Sequence, residues 1–242
     1  FSQVMITAAD VVSHPGGTAA GVRAVRGSGL EVTGLEALRD FEGLDRQLHA
    51  YKVDVAKAML ELCASLGGRL LLVEASTSRH ASPEPDAIAS DLGKLAVMAV
   101  PLGIRIAYKS LPWSRTARDF REAADLVLRV ASPNVGVAVD AFDVLASGVP
   151  LEDVDVLDPG QTFLVQISDY MWQEVRSAEE QATTATHFRV FPGDGAHSDA
   201  LAEKPQIAVP ASLPAQSSSG GIRTSYLPVP CSTRAGYPNF LT

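Results

Sequence analysis

Asp140 and Asp143 close the stretch PNVGVAVDAFD, Pro133–Asp143, in which an apolar run ends on the first acid and the second follows three residues later. A carboxylate at the carboxyl end of a buried strand opens onto the mouth of an α/β sheet, where it can ligate a metal or act as a general base. Asp143 would then project into the same cleft as a catalytic group; alternatively Asp140 caps the turn that follows and Asp143 is solvated. Lys109 ends a second apolar run, IRIAYK. An ammonium there either pairs with Asp140 or, with a pKa lowered by desolvation, serves as a base or Schiff-base nucleophile. Gln166 ends TFLVQI, and its amide oxygen can ligate a hard cation or hold a hydrogen-bond partner. Asp169 lies three residues further on and is a candidate substrate contact. Arg189 opens RVFPGDG, whose Pro-Gly and Asp-Gly pairs mark tight turns. A guanidinium held there suits recognition of a carboxylate or hydroxyl; the alternative is a surface arginine in an ordinary ion pair.

These groups need strands to bring them together, and the pattern supplies them. Apolar runs at Val4–Thr7, Leu30–Leu35, Leu70–Ala75, Ile104–Lys109, Val135–Asp140 and Thr162–Ile167 read as strands. Helical patterns lie between them: Thr18–Arg26, Arg46–Leu66, Pro85 toward Val100, and Thr116–Val130. A short helix is expected near Leu151–Val156 and a longer one over Tyr170–Thr186. Alternating strands and crossover helices imply a parallel sheet buried on both faces, with right-handed crossovers placing every carboxyl end on one side. Glu74, Lys109, Asp140 and Gln166 follow one another at 35, 31 and 26 residues, about one strand–helix unit each, so they should converge on one face. A (β/α) barrel is the expected closure, with a doubly wound open sheet as the alternative. Residues 202–242 hold six prolines and the run Ser217-Ser218-Ser219-Gly220-Gly221, and read as an extended tail beside a barrel domain over residues 1–201.

Composition narrows the function. The chain has 242 residues, 46% of them hydrophobic and 20% charged, ample for a buried core. Its net charge of −8 offers no basic footprint for nucleic acid, and no stretch approaches the ~20 apolar residues of a membrane span. No basic-then-apolar leader opens the chain, so the expected compartment is the cytoplasm. Two cysteines make neither a disulfide framework nor a zinc cluster, and Cys63 reads as a packing residue on the helix face of Met59 and Leu60. The five histidines show no close zinc-ligand pair, although His80, His187 and His197 lie near candidate site segments. No GxxxxGK[ST] phosphate loop is present.

Five segments together resemble the xylose isomerase-like TIM barrels, the sugar phosphate isomerase/epimerase superfamily, and within it bacterial 3-dehydroshikimate dehydratases. They are RDFEG (Arg39–Gly43), YKSLPW (Tyr108–Trp113), Pro133–Asp143, FLVQISD (Phe163–Asp169) and Arg189–Gly195, within a likeness spanning about Phe1 to Leu201. The resemblance implies a (β/α)8 TIM barrel, here without its first strand and with an atypical C-terminal segment. It implies a lyase or isomerase acting on a polyhydroxylated carbonyl compound, such as dehydration of 3-dehydroshikimate to protocatechuate, or a sugar isomerase or epimerase. The partner would be a small molecule, with a homo-oligomer possible. The family's single divalent metal (Mn, Co or Mg) would fall to Asp140 and Gln166, Arg189 would contact substrate, and Lys109 and Asp143 stand where the family has a Glu ligand and a His. A second Glu ligand has no counterpart in the Pro-rich tail. With Lys109 in a ligand position, the resemblance also admits a degenerate, non-catalytic barrel in which Lys109 replaces the metal.

Overall fold

A computed structural model of the chain describes residues 2–172, 174–197 and 224–225. Six parallel strands form one sheet in strictly sequential order: β1 (Gln3–Thr7), β2 (Glu31–Arg39), β3 (Leu70–Glu74), β4 (Arg105–Lys109), β5 (Val135–Asp140) and β6 (Thr162–Gln166). A doubly wound sheet reverses its order at a switch point, and this one does not. The strands therefore curl one way, as in a barrel wall. Two residues of the Pro-rich segment, Thr224–Ser225, add a short strand parallel to β6, opposite Val165 and Gln166, that also lies beside β1. The rest of the expected tail, Cys231 included, falls outside the described residues.

The helices cover the outer face. α1 (Ala8–Val12) and α2 (Thr18–Gly27) follow β1; α3 (Arg46–Leu66), α4 (Pro85–Ala99) and α5 (Phe120–Val130) form the next three crossovers. The Asp45 side chain accepts from Gln47 N and Leu48 N at 2.9 and 3.0 Å to start α3, and Gly67, at φ 86°, ends it in the left-handed region. In α5, Phe120, Ala123, Leu126 and Val127 are buried at helical spacing, and they join Val73, Ile106, Val135 and Val137 in the outer core. Each fully buried Leu or Val contributes roughly 1.5–3 kcal/mol. Cys63 is buried on α3 as expected; burial pushes its thiol up to about 11, which keeps it inert.

A second apolar cluster lines the inside of the sheet: Met5, Leu70, Leu72, Ala107, Ala138, Phe163 and Leu164. Most of these residues sit two positions below a strand's last residue, on the same face, because side chains alternate along a strand. The inward face thus runs from apolar side chains to polar ones: Leu72 to Glu74, Ala107 to Lys109, Ala138 to Asp140, Leu164 to Gln166.

Two local expectations are corrected. The helix expected over Tyr170–Thr186 is α7, Ala178–His187, and Asp169–Tyr170 instead forms a strand, β7, antiparallel to β8, Arg189–Val190. Ser177 starts α7 with a capping box to Glu180, so the chain before it is not helical. The helix expected from Thr116 starts at Phe120, because the Asp119 side chain caps Arg121 N and Glu122 N. A short helix, α6 (Ala141–Ser147), follows Asp140 directly.

Candidate functional site

Strand register fixes most of the site. Arg39, Glu74 and Lys109 end neighbouring strands as direct register partners, and Asp140 pairs with Gln166. Their side chains meet at one mouth of the sheet. Arg39 Nε donates to Glu74 Oε2 at 2.7 Å, and Lys109 Nζ lies 3.2 Å from Glu74 Oε1. The same ammonium is 3.4 Å from Asp140 Oδ2 and 3.7 Å from Asp143 Oδ2. Arg189 reaches in from β8, its Nη1 donating to Asp140 Oδ1 and Oδ2 at 2.9 and 2.7 Å and to Ser168 Oγ at 3.2 Å. Its guanidinium is braced by Nε to Ala185 O, 3.0 Å, and lies over the Phe142 ring, 4.7 Å from the centroid. These residues other than Asp143 and Phe142 line a cleft of about 500 Å³, with Trp113, Asp40 and Thr7 on its other walls.

The electrostatics follow from burial and pairing. Burial alone would lower the Lys109 pKa, but Glu74, Asp143 and Asp140 outweigh it and raise it above the ordinary lysine value. With three carboxylates around it, Lys109 is shifted the opposite way from the lowered pKa that a base or Schiff-base role requires. Burial alone would raise the carboxyls of Glu74 and Asp140. Lys109 and Arg39 reverse this at Glu74, and Arg189 and Lys109 reverse it at Asp140, so both fall below the ordinary carboxylate range. Asp140 also caps α6 through Phe142 N at 3.0 Å, so the capping reading and the site reading of this residue hold together.

Asp143 is not in the cleft wall, contrary to the expectation that it projects into the cleft. It is 4% exposed, and its carboxylate oxygens have no hydrogen-bond partner. Burial first, and the neighbouring Asp140 second, push its carboxyl up to about 7. Its place is behind Lys109, as a counter-charge. Asp169 is also set apart from the cleft. Fully buried, it accepts from Tyr170 N, Gly195 N and His197 N at 2.7, 3.2 and 3.2 Å, and thereby ties the loop after Arg189 to β7. A Cβ at Gly195 would run into the Asp169 carboxyl, which explains the glycine there. His80 and His187 are exposed and outside the cleft wall, and His197 stacks on Tyr170.

Glu36 is the site residue that the sequence reading missed. It lies where the register of β2 slips between Leu35 and Leu38, an irregularity that re-aims a side chain, and its carboxylate lines the cleft. Gln166 Nε2 donates to Glu36 Oε2 at 3.4 Å, while Gln166 Oε1 is buried without a hydrogen-bond partner. Burial raises the Glu36 pKa, with Lys109 opposing it. The available signal was a charged residue set between the apolar positions Leu35 and Leu38.

The divalent metal implied by the resemblance does not fit these residues. Both Asp140 oxygens already receive Arg189, and one also receives Lys109. A dication about 4 Å from the Lys109 ammonium would meet a repulsion of roughly 8 kcal/mol at an effective dielectric of about 20. Among the described residues, no group of three or more His, Cys, Asp or Glu side chains is arranged to hold a metal.

Comparison with known proteins places this arrangement. The family model described as a xylose isomerase-like TIM barrel matches residues 8–203. A 3-dehydroshikimate dehydratase of Pseudomonas aeruginosa is 33% identical over 197 residues, covering 81% of this chain and 30% of the relative. An inosose isomerase of Bacillus licheniformis is 29% identical over 166 residues, covering 67% of this chain and 58% of the relative. The chain thus spans under a third of the length of the dehydratase. Among solved structures, a fusion of a xylose isomerase-like TIM barrel with 4-hydroxyphenylpyruvate dioxygenase superposes with a TM-score of 0.73 at 28% identity, covering 81% of this chain and 31% of that one. The IOLI protein, solved with a bound zinc atom, has a TM-score of 0.66 at 22% identity, covering 81% of this chain and 71% of that one, and shares the fold. With its sequential parallel strands and its polar residues gathered at their carboxyl ends, the chain belongs to the xylose isomerase-like TIM barrel family.

Proposed function

We propose that the cleft binds a polyhydroxylated carbonyl compound and acts on it as a lyase or isomerase, moving a proton next to the carbonyl. Lys109, Asp140, Gln166 and Arg189 converge on one cleft, and this convergence carries the reading. Abstraction of a proton beside a carbonyl leaves an enolate, whose oxygen needs fixed positive donors in a site shielded from water. Lys109, buried, and Arg189, half-buried, are such donors, held by carboxylates so that neither reorganises as charge develops. The Glu36 carboxyl and the Gln166 side chain line the cleft and offer polar contacts to substrate hydroxyls, and Trp113 offers an apolar face. Glu36, raised by burial, is the cleft-facing group suited to exchange the proton.

The dehydratase relatives favour 3-dehydroshikimate as the compound, and the inosose isomerases favour a cyclic polyol ketone. Calorimetric titration with 3-dehydroshikimate and with an inosose tests the reading, followed by NMR for product. At least one compound should bind, and replacing Arg189 with Met should weaken binding by about tenfold or more, the loss of one charge-assisted contact. If neither compound binds, the reading fails. A binding module without turnover is the alternative, favoured by the three carboxylates that restrain Lys109. Binding without product would select it.

A further inference from the structure

We propose that Lys109 is the resident cation of this cleft, and that the protein works without a divalent metal. The proposal deepens the reading of the cleft as a ligand site, but it concerns what holds the cleft together rather than what enters it. Five charged side chains alternate in sign across the mouth of the sheet, four from successive strand ends and the fifth, Arg189, from β8. Arg39 meets Glu74, Glu74 meets Lys109, Lys109 meets Asp140, and Asp140 meets Arg189, at 2.7, 3.2, 3.4 and 2.7 Å. Lys109 stands at the centre of this chain, with Asp143 behind it at 3.7 Å.

Three carboxylates, Glu74 from β3, Asp140 from β5 and Asp143 from α6, are each turned toward one point. Here an ammonium occupies that point, delivered by the chain's own strand and fixed by register. Lys109 is the register partner of Ala138 and follows Ala107 by two residues on the same face, so small residues flank its long stem. Asp140 is saturated as well: Arg189 and Phe142 N occupy Oδ1, and Arg189 and Lys109 occupy Oδ2. A metal would have to displace one cation and pull its ligand from a second.

The test reads metal, not turnover, so its failure is distinct from failure of the ligand reading. The purified full chain is titrated with Mn²⁺, Co²⁺, Mg²⁺ and Zn²⁺ by calorimetry and analysed for metal content after dialysis. Wild type should hold no stoichiometric metal, and its thermal midpoint should not move with EDTA. Lys109→Glu replaces the ammonium by a fourth carboxylate and should bind Mn²⁺ about 100-fold more tightly than wild type, since affinity follows ligand charge count. Lys109→Met removes the charge without adding a donor and should gain far less. One tightly bound metal per wild-type chain overturns the proposal. So does a folded Lys109→Glu variant with no gain over Lys109→Met. If Lys109→Glu does not fold, the wild-type metal content decides alone: stoichiometric metal overturns the proposal, and its absence, with EDTA indifference, upholds it.

Discussion

Asp143 shows how much a single buried charge depends on its neighbours. Its carboxyl is pushed up to about 7 by burial and by Asp140, with Lys109 pulling the other way. In the unfolded chain the same carboxyl titrates near its ordinary value of 3.8. Between those two values the folded state keeps a proton that the unfolded state has lost. Stability therefore falls as pH rises from about 4 to about 7 and levels off above that, the reverse of an ion-paired carboxylate. Replacing Asp143 with Asn removes this contribution. Urea midpoints across that window should decline less steeply in Asp143→Asn than in wild type, with a difference of up to a few kcal/mol. Equal slopes would show that Asp143 does not carry the titration. The position of Asp140 and Lys109 at strand ends was legible because apolar runs announce buried strands. The reach of Asp143 was not, because it lies in the first turn of α6, and a helix start so close to the strand end has no apolar run to mark it.

Between residue and barrel lies the network that holds the strand ends in line. Glu42 is fully buried, and its Oε1 accepts from Ser76 N, Thr116 Oγ1 and Tyr108 Oη at 2.7, 2.7 and 3.0 Å. One carboxyl group therefore ties the loop after β2 to the loop after β3, to β4 and to the loop after β4. Asp40, two residues earlier, takes the left-handed region at φ 51° and accepts from Thr77 N and Ser78 N at 2.8 and 2.9 Å. The segment RDFEG is thus a clamp on the loops that flank the cleft. Glu42→Ala removes the shared acceptor, leaving Ser76 N and Tyr108 Oη only Thr116 Oγ1, and should destabilise the fold by roughly 3 kcal/mol, read as a loss in urea midpoint. Glu42→Gln keeps an acceptor and should cost less than half as much. Equal costs would mean that the volume of the side chain matters and its hydrogen bonds do not. The sequence marked RDFEG only through its likeness to a family, since a loop glutamate carries no periodic signal of burial. The β7–β8 pair was illegible for a related reason. Two-residue strands are too short for alternation, and Met171-Trp172 reads as helix until the Ser177–Glu180 capping box is counted.

At the scale of the whole molecule, the sheet divides its core into two parts with different duties. The outer cluster, where Leu92 and Leu95 of α4 meet Val73 and Ile106, holds helices to strands. The inner cluster is small and lies directly beneath the charged mouth, Leu72 below Glu74 and Ala138 below Asp140. A cavity in either part should cost about the same, roughly 2–5 kcal/mol for a Leu-to-Ala change. The consequences for the cleft should differ. Leu72→Ala removes the floor on which Glu74 and, through it, Lys109 and Arg39 are aligned. Charge–charge distances of 3.2 to 3.4 Å tolerate little drift before the ion chain loosens. Leu92→Ala lies on the far side of the strands and leaves that floor intact. Leu72→Ala should therefore lose ligand affinity by about tenfold or more beyond its loss of stability, about 1.4 kcal/mol of misplaced contacts. Leu92→Ala, matched to it in urea midpoint, should keep wild-type affinity. Calorimetry on the two variants with the compound that wild type binds separates the outcomes. Equal affinities would show that the mouth is positioned by the strands alone and not by the apolar layer beneath it.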